Sequence, residues 1–476
     1  MPSLPPELIP LILAEFPEDS KALRNCALVC QSWARISRSI SFHSLSVTGY
    51  GLPRKRRARR VARFLRLCAS PFETFSKSNI HTLELWEWPH SPYDFDPAGQ
   101  HLEINALLGW CSADGTKTIS SLFPFLKRLS FLGDISWRSL SGVAKKAIYE
   151  GFMTVTELSL NYIHIDTEDF LTLIHTFPSL WSLELDFINQ LHLSDPKTLV
   201  TVPHTNLQKI VLDYVRTLDF IRLFHGTPCL KILHLHGGSI FFKKFVNSNE
   251  VRAAITRLLR STTLEEFRCE YRFNKPTEVD KFLAKLDLTG LSNLRQIEFE
   301  FHTYVEGAAF PSSLPDFFDK LSTSNDTISS SLEVVSIPYL PEHTRYMDFQ
   351  KLDEILQRPY FSSLRELKCS FTCDFTQKDV AKQLKRGKRT YPQPDSDSAA
   401  ESDLRERKRD FGVMYFPKCE ARGILVTNHE YCYNPPPRFR DKIAGVAGRT
   451  ARNIRSRTSG AMNFVTDSVQ RLVRLG

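Results

Sequence analysis

The sequence predicts an irregular α/β solenoid that follows a small helical unit at the N-terminus. Ten segments of the form L-x-x-L-x-L, with conservative substitutions, recur between residues 80 and 369. Helix-like stretches such as TEDFLTLIHTF lie between them, and similar turns such as FPFL, FPSL and TPCL precede several of them. One strand–helix unit of this kind cannot bury its apolar side alone, so the pattern predicts a stack of units, a leucine-rich-repeat solenoid.

The sequence of the first unit, residues 1–45, predicts three short helices. LPPELIPLILAEF has Pro5 and Pro6 at a helix start, where missing N–H groups cost least, and apolar residues then follow on one face. EDSKALRNCALVCQSW and ARISRSISF continue this apolar spacing. About forty residues make a very small free-standing core, so we expect this unit to pack against a neighbour.

The connecting segment, residues 46–79, contains RKRRARRVARFLRLCAS, in which six of the seven residues at 54–60 are basic. Such a cluster is typical of a nuclear import signal or a nucleic-acid-binding patch. The regular apolar spacing from Val61 to Cys68 favours an amphipathic helix whose apolar residues are buried and whose arginines are solvated. The two interpretations are compatible.

The repeats are expected over residues 80–375, at irregular spacings between 23 and 46 residues. A parallel-sheet α/β domain of another kind also contains L-x-L strands, but not normally ten with the same preceding turn. Residues 376–410 are polar and charged, which predicts a disordered insertion. The segment FGVMYFPKCEARGILVTN, within residues 411–433, then predicts a last repeat unit.

The tail, residues 434–476, holds most of the net charge of +9. Residues 437–476 carry nine Lys or Arg and two Asp, a charge of +7, which leaves +2 for the rest of the chain. Its final stretch reads as a basic amphipathic segment that contacts an anionic membrane or nucleic-acid phosphates. Packing against the last repeat is the alternative.

Several functional classes lack their sequence signals. The ten cysteines include no CxxC pair, which argues against a disulfide framework or zinc module and favours a reducing compartment, the cytoplasm or the nucleus. GxSxG, HExxH, kinase and glycine-rich phosphate motifs are absent, so we predict no catalytic site, cofactor or metal. The opening run LIPLILAEF lacks the basic lead of a signal peptide, and no run of eighteen apolar residues occurs.

The segments LPPELIPLILAEF and LRNCALVCQSWARIS together resemble an F-box, which has an LP-x-E-L start and a V-C-x-x-W centre. The order of basic helix, L-x-x-L-x-L array and FPKCEARGIL is similar to fungal F-box proteins with degenerate leucine-rich repeats. This resemblance implies a subunit that docks a Skp-type adaptor, and through it a cullin, while the repeats hold a protein to be ubiquitinated.

The resemblance also implies which side chains face the adaptor. Matched by position, these are Leu4, Pro5, Leu8, Ile12, Val29, Cys30 and Trp33. The i, i+4 spacing of Val29 and Trp33 suits burial against a partner. The alternative is packing inside the F-box or against the first repeat, and we favour that alternative for Leu23 and Cys26.

In each L-x-x-L-x-L strand, the residues that flank the core leucines are expected to point to the open face of the sheet. Acidic residues outnumber basic ones at these positions, so we expect the bound substrate segment to be basic. The alternative is that the strands simply expose soluble residues. The candidate substrate contacts are Trp86, Glu157, Glu184, Asp186, Asp213, His234, His236, Glu298 and Glu300.

The LHLH segment places His234 and His236 on one strand face, a spacing that metals use. The sequence shows no Cys or carboxylate partner for them, so they are interpreted as isolated surface histidines. A second functional hypothesis is a non-catalytic scaffold that associates with an anionic membrane or nucleic acid through the basic tail.

Overall fold

The structure is a computed structural model of the 476-residue chain. It describes residues 9, 13, 23, 25–47, 54–70, 80–87, 101–186, 206–213, 223–224, 227–237, 245–260, 263–273, 276–303, 312–323, 330–337, 348–372 and 415–430. The chain divides into two compact units. The first comprises residues 1–339, 343–369 and 410–426, and the second comprises residues 340–342, 370–409 and 427–476. The predicted insertion at 376–410 lies entirely outside the described residues, and so does the tail at 434–476.

The described strands form one open, all-parallel sheet whose strand order follows the chain order. They are β1 (Ser44–Ser46), β2 (Thr82–Glu87), β3 (Arg128–Ser136), β4 (Glu157–His164), β5 (Ser182–Asp186), β6 (Lys209–Asp213), β7 (Ile232–Gly237), β8 (Glu266–Phe273), β9 (Gln296–Thr303), β10 (Val334–Ile337), β11 (Glu366–Thr372) and β12 (Leu425–Glu430). Each of the ten L-x-x-L-x-L segments contains one strand, from β2 to β11. This α/β architecture is compatible with a solenoid-like arrangement.

Helices connect many of the strands. They are α1 (Gln31–Ser41), α2 (Arg54–Ala69), α3 (Leu102–Leu108), α4 (Ile119–Leu122), α5 (Gly142–Gly151), α6 (Thr167–Thr176), α7 (Asn249–Arg260), α8 (Pro276–Lys285), α9 (Leu314–Thr323), α10 (Phe349–Ile355) and α11 (Pro417–Ala421), with 3-10 turns at Trp137–Ser139 and Pro359–Phe361. No helix among the described residues is long and apolar enough to cross a bilayer.

The core lies between the sheet and these helices. Leu83 and Leu85 on β2 are completely buried, while Thr82, Glu84 and Trp86, which alternate with them, stay partly exposed. Farther along the sheet, the rings of Tyr271 on β8 and Phe282 on α8 lie 5.9 Å apart. Alternate strand residues therefore pack against helices and leave the intervening ones on the opposite, open face.

The turns before the strands repeat as the sequence suggested. The N–H of Leu126 donates to the carbonyl of Phe123 at 3.1 Å, and Leu180 donates to Phe177 at 3.0 Å. Near the end of the array, Leu364 donates to Phe361 at 3.1 Å. A turn with the same hydrogen bond, from the N–H of residue i+3 to the carbonyl of residue i, thus precedes each of these strands.

One strand, β1, was not predicted. It follows α1 directly and pairs in parallel with β2, from Ser44 opposite Thr82 to Ser46 opposite Glu84. Three residues are too short for a period-2 pattern to be read from sequence. Strand β1 places the N-terminal helical unit at the start of the sheet.

Helix α2 forms as the apolar spacing predicted, with Val61 and Cys68 buried. The expectation that all its arginines are solvated is wrong for Arg57, which is 6% exposed and donates to Oε1 of Glu87 at 2.9 Å. Arg57 lies one turn before Val61 and hence on the same buried face of the helix. The ion pair fixes α2 to the end of β2.

The last unit is closed by a buried carboxylate. Asp353 on α10 is 1% exposed and accepts hydrogen bonds from the backbone N–H groups of Lys418 at 2.9 Å and Cys419 at 3.0 Å. The N–H of Leu367 also donates to the carbonyl of Ile424 at 2.7 Å. Residues on either side of the long insertion therefore belong to one packed layer.

Candidate protein-binding surfaces

The N-terminal unit has a small core of its own. Ile9, Leu13 and Leu23 are buried in one cluster. Trp33, which lies on α1, packs against this cluster and is partly buried.

A turn beside this core exposes apolar side chains. Leu28 is 85% exposed and Val29 is 65% exposed, and Cys30 is also exposed. Backbone hydrogen bonds shape the turn. The N–H of Leu28 donates to the carbonyl of Asn25 at 3.0 Å, and the N–H of Val29 donates to the carbonyl of Cys26 at 3.1 Å. We call Leu28, Val29 and Cys30 the apolar turn.

The implied adaptor contacts fall into three groups. Leu4, Pro5, Leu8 and Ile12 lie outside the described residues. Val29 and Cys30 lie on the exposed apolar turn. Trp33 packs against the internal cluster, although the sequence favoured an adaptor contact for it, and Leu23 and Cys26 pack there as the sequence favoured. Leu28 lies close to Val29, Cys30 and Trp33 in the sequence but was not among the implied adaptor contacts, although it lies off the apolar stripe of Leu23 and Cys26.

The second surface is the open face of the sheet, where strand register aligns side chains in three rows. The first row is Thr82, Arg128, Glu157, Ser182, Lys209, Ile232, Glu266, Gln296, Val334 and Glu366. The middle row is Glu84, Ser130, Ser159, Glu184, Val211, His234, Arg268, Glu298, Ser336 and Lys368. The last row is Trp86, Leu132, Asn161, Asp186, Asp213, His236, Glu270 and Glu300. All nine candidate substrate contacts belong to these rows.

The three rows carry ten carboxylates and four Lys or Arg, a net charge of −6 with neutral histidines. The whole chain carries +9. The open face is therefore opposite in sign to the protein that contains it.

Part of this negative charge is neutralised within the face. Arg128 lies 3.1 Å from Glu184 and 3.7 Å from Glu157, so it holds two of the candidate contacts together. Because all three side chains are substantially exposed, these ion pairs contribute little stability. They do fix the positions of the two carboxylates.

A second arginine does the same farther along. Arg268 forms ion pairs with Glu298, at 3.7 Å, and with Glu300. Burial raises the pKa of Glu298, and the neighbouring Arg268 acts in the opposite direction. These two candidate contacts are thus organised around one guanidinium.

The two histidines are not isolated, contrary to the sequence interpretation. Nε2 of His234 lies 2.7 Å from Oε1 of Glu266, and Nδ1 of His236 lies 3.8 Å from Oε2 of Glu270. The two imidazoles are stacked, with centroids 6.0 Å apart. Their partners come from the next strand, which only the register reveals. Within the described residues, no group of three or more potential ligands is placed to hold a metal.

These contacts also shift protonation equilibria. The hydrogen bond from His234 lowers the pKa of Glu266, and burial lowers the pKa of His236. The imidazole of His236 is thus held in its neutral form more strongly than in water.

The last row is the most acidic part of the face. From β5 to β9 it runs Asp186, Asp213, His236, Glu270, Glu300, with four carboxylates and no Lys or Arg. Neighbouring strands are about 4.8 Å apart, so this row is about 19 Å long. The side-chain amide of Asn161 donates to Asp186 at 2.5 Å.

Trp86 lies at the β2 end of the last row. Its indole Nε1 donates to Oε2 of Glu84 at 3.2 Å, which leaves the ring partly exposed on the open face. A partly exposed indole beside carboxylates suits contact with the aliphatic stem and charge of a basic side chain.

No family model matches the sequence, and no curated protein is significantly similar to it.

Proposed function

We propose that this protein is the substrate-recognition subunit of a Skp–cullin–F-box ubiquitin ligase. The F-box segment docks the Skp-type adaptor, and the open face of the repeats holds the protein to be ubiquitinated. In this proposal the chain carries no chemistry itself, since its role is to bring the substrate to the enzyme that transfers ubiquitin.

The apolar turn is the observation that carries this proposal. Two large apolar side chains, Leu28 and Val29, project from a turn beside the buried cluster of Ile9, Leu13 and Leu23. Burying a Leu or Val side chain is worth about 1.5–3 kcal/mol, so an exposed pair on a fixed turn favours a protein partner. Val29 and Cys30 are also the residues that match the V-C-x-x-W centre of an F-box.

The test is co-purification of the full-length chain with a Skp-type adaptor. Leu28→Asp with Val29→Asp is expected to abolish binding, because truncating or charging a buried anchor costs about 2 kcal/mol or more. Val143→Asp is the matched control, since Val143 on α5 is 63% exposed and lies outside the F-box. If the double variant retains adaptor binding while the control behaves like the wild type, the proposal is wrong.

For the substrate, we propose a basic segment bound along the last row of the open face. Asp186→Asn with Asp213→Asn removes two carboxylates without breaking the Arg128 or Arg268 ion pairs. We expect weaker binding of a fluorescent oligolysine peptide and a smaller dependence of that binding on salt. Glu150→Gln with Glu354→Gln, both exposed and outside the three rows, is the control of equal charge change. Equal binding by the two variants would contradict a basic substrate.

The second hypothesis, a scaffold bound to a membrane or nucleic acid through the tail, concerns residues outside the described part of the chain. It stays a prediction of the sequence. Flotation of the full-length protein and of a chain ending at residue 436 with phosphatidylserine vesicles tests its membrane form. Equal flotation would rule out the tail as an anchor.

A further inference from the structure

Helix α2 presents a continuous stripe of arginines to solvent. Five exposed residues share one side of the helix, and we call them the arginine stripe: Arg56, Arg59, Arg60, Arg63 and Arg66. At 100° per residue they fall within an arc of about 120°, opposite the side that carries Val61 and Cys68. Along the helix axis they extend over about 15 Å.

The stripe is held on a fixed support. The opposite side of α2 is anchored by buried Val61, by the buried ion pair of Arg57 with Glu87, and by Phe64, whose ring lies 6.4 Å from that of Phe123. The guanidinium groups therefore project from a helix whose orientation is set before any partner arrives, which lowers the entropic cost of binding.

The charge of the stripe is not balanced on its own helix. The segment from residue 54 to residue 70 contains no acidic residue. Among the residues that the structure describes, Arg57 is the arginine of α2 that forms an ion pair, and it belongs to the buried side. A row of guanidinium groups of one sign is complementary to a polyanion.

We propose that the arginine stripe binds the phosphate backbone of double-stranded nucleic acid. Neighbouring arginines of the stripe are about 4.5 Å apart along the axis, except Arg59 and Arg60, which are about 1.5 Å apart, and the five span about 15 Å. One strand of a duplex presents a phosphate about every 3.4 Å along its axis, hence four or five over the same length. The number of guanidinium groups along the stripe is therefore comparable with the number of phosphates that one strand carries over the same length.

Other features of α2 favour a duplex over the remaining polyanions. An interfacial helix inserts a broad apolar side into lipid, but Val61 and Cys68 are already buried in the protein, and the exposed side of α2 combines the arginine stripe with a lone large apolar residue among its described side chains, Leu67, which is 47% exposed. Single-strand binders stack bases on exposed aromatic rings, whereas Phe64, the aromatic residue of α2, is partly buried against Phe123. This role goes beyond the proposed ligase function and does not depend on it.

The test is fluorescence anisotropy of the full-length protein with a labelled random-sequence duplex of about two helical turns, at several salt concentrations. The stripe variant is Arg59→Gln, Arg60→Gln and Arg63→Gln. The control variant, Arg138→Gln, Arg295→Gln and Arg365→Gln, removes the same charge at exposed arginines elsewhere. The basic tail is present in both variants, so its contribution cancels in the comparison.

We expect the stripe variant to bind the duplex at least about tenfold more weakly at low salt. Its plot of log affinity against log salt should be shallower by about 2–3, since each lost phosphate contact removes about 0.9 from the slope. The control should keep the wild-type slope, and thermal unfolding of both variants should match the wild type. Equal slopes for the two variants would overturn the proposal.

Competition identifies the polyanion. Unlabelled duplex should displace the probe at a lower concentration, counted in negative charges, than poly-glutamate, phosphatidylserine vesicles or single strands of the same sequence. Displacement by poly-glutamate at equal charge would overturn the proposal in favour of an acidic protein. Equal displacement by vesicles or single strands would overturn it in favour of those ligands.

Discussion

Leucines in two regions of this protein have opposite environments. Leu83, on the first long strand of the sheet, is completely buried, whereas Leu28, on the apolar turn of the N-terminal unit, is 85% exposed. The strands of the parallel sheet bury their leucines against the helices, whereas the apolar turn leaves two large apolar side chains exposed. The difference separates a leucine that stabilises the fold from a leucine whose apolar surface stays exposed to solvent.

The largest expected effect comes from truncating one leucine in each of the two regions and comparing the results. Leu83→Ala should lower the free energy of unfolding by about 2–5 kcal/mol, because it leaves a cavity in a close-packed layer. Leu28→Ala should change it by less than about 0.5 kcal/mol but weaken adaptor binding. Urea unfolding and an adaptor pull-down measure the two effects. Equal stability losses would remove the distinction between the regions.

A second large effect is expected at the last unit. Asp353→Ala leaves two buried N–H groups, those of Lys418 and Cys419, without their acceptor and should cost about 3 kcal/mol. Asp348→Ala is a matched control, because Asp348 is an exposed N-cap of the same helix that accepts from Lys351 at 2.8 Å, and should cost about 1 kcal/mol. Urea unfolding would contradict this account if the two variants were equally stable.

A smaller effect concerns two histidines near the ends of β3 and β4. Nε2 of His164 lies 2.7 Å from Oδ1 of Asp134, and this hydrogen bond raises the pKa of His164. Burial lowers the pKa of His101, whose Nε2 accepts a hydrogen bond from the backbone N–H of Ser136. His164 therefore adds stability that is fully present below its unfolded pKa of about 6.5 and lost as the pH rises through its higher folded pKa. His101 acts oppositely, because stability falls as the pH drops below about 6.5 towards its lower folded pKa.

Asp134 adds a contribution to the pH dependence of stability at acidic pH. His164 lowers the pKa of Asp134, so the stability it adds is present above about pH 4 and lost as the pH falls through its folded pKa. NMR titration should show His164 titrating above His101. Asp134→Asn should lower the pKa of both histidines, since Asp134 raises each of them. Coincident titration of the two rings in the wild type would contradict the assignment.

The strands were predictable because a period-2 pattern needs only neighbouring residues, and each L-x-x-L-x-L segment contains a strand. The features that were missed depend on contacts distant in sequence. Arg57 is buried because Glu87 meets it from thirty residues away, and the histidines gain carboxylate partners only through strand register. The contact of Asp353 with Lys418 spans 65 residues and the whole insertion.

The candidate surfaces were predictable to different extents. All nine candidate contacts of the open face lie on it, because alternation assigns each strand residue to a face. On the N-terminal unit, a helical pattern identifies Leu23 and Cys26 as internal. It does not distinguish Trp33, which packs inward, from Leu28, which projects outward, since both are large and apolar.

The most direct test of the central claim is hydrogen–deuterium exchange of the full-length protein with and without a purified Skp-type adaptor. We predict that the adaptor slows amide exchange over residues 25–36, which contain the apolar turn, and leaves strands β4 to β6 unchanged as an internal control. Unchanged exchange over residues 25–36 at saturating adaptor would contradict the claim that this unit completes its buried surface on another protein.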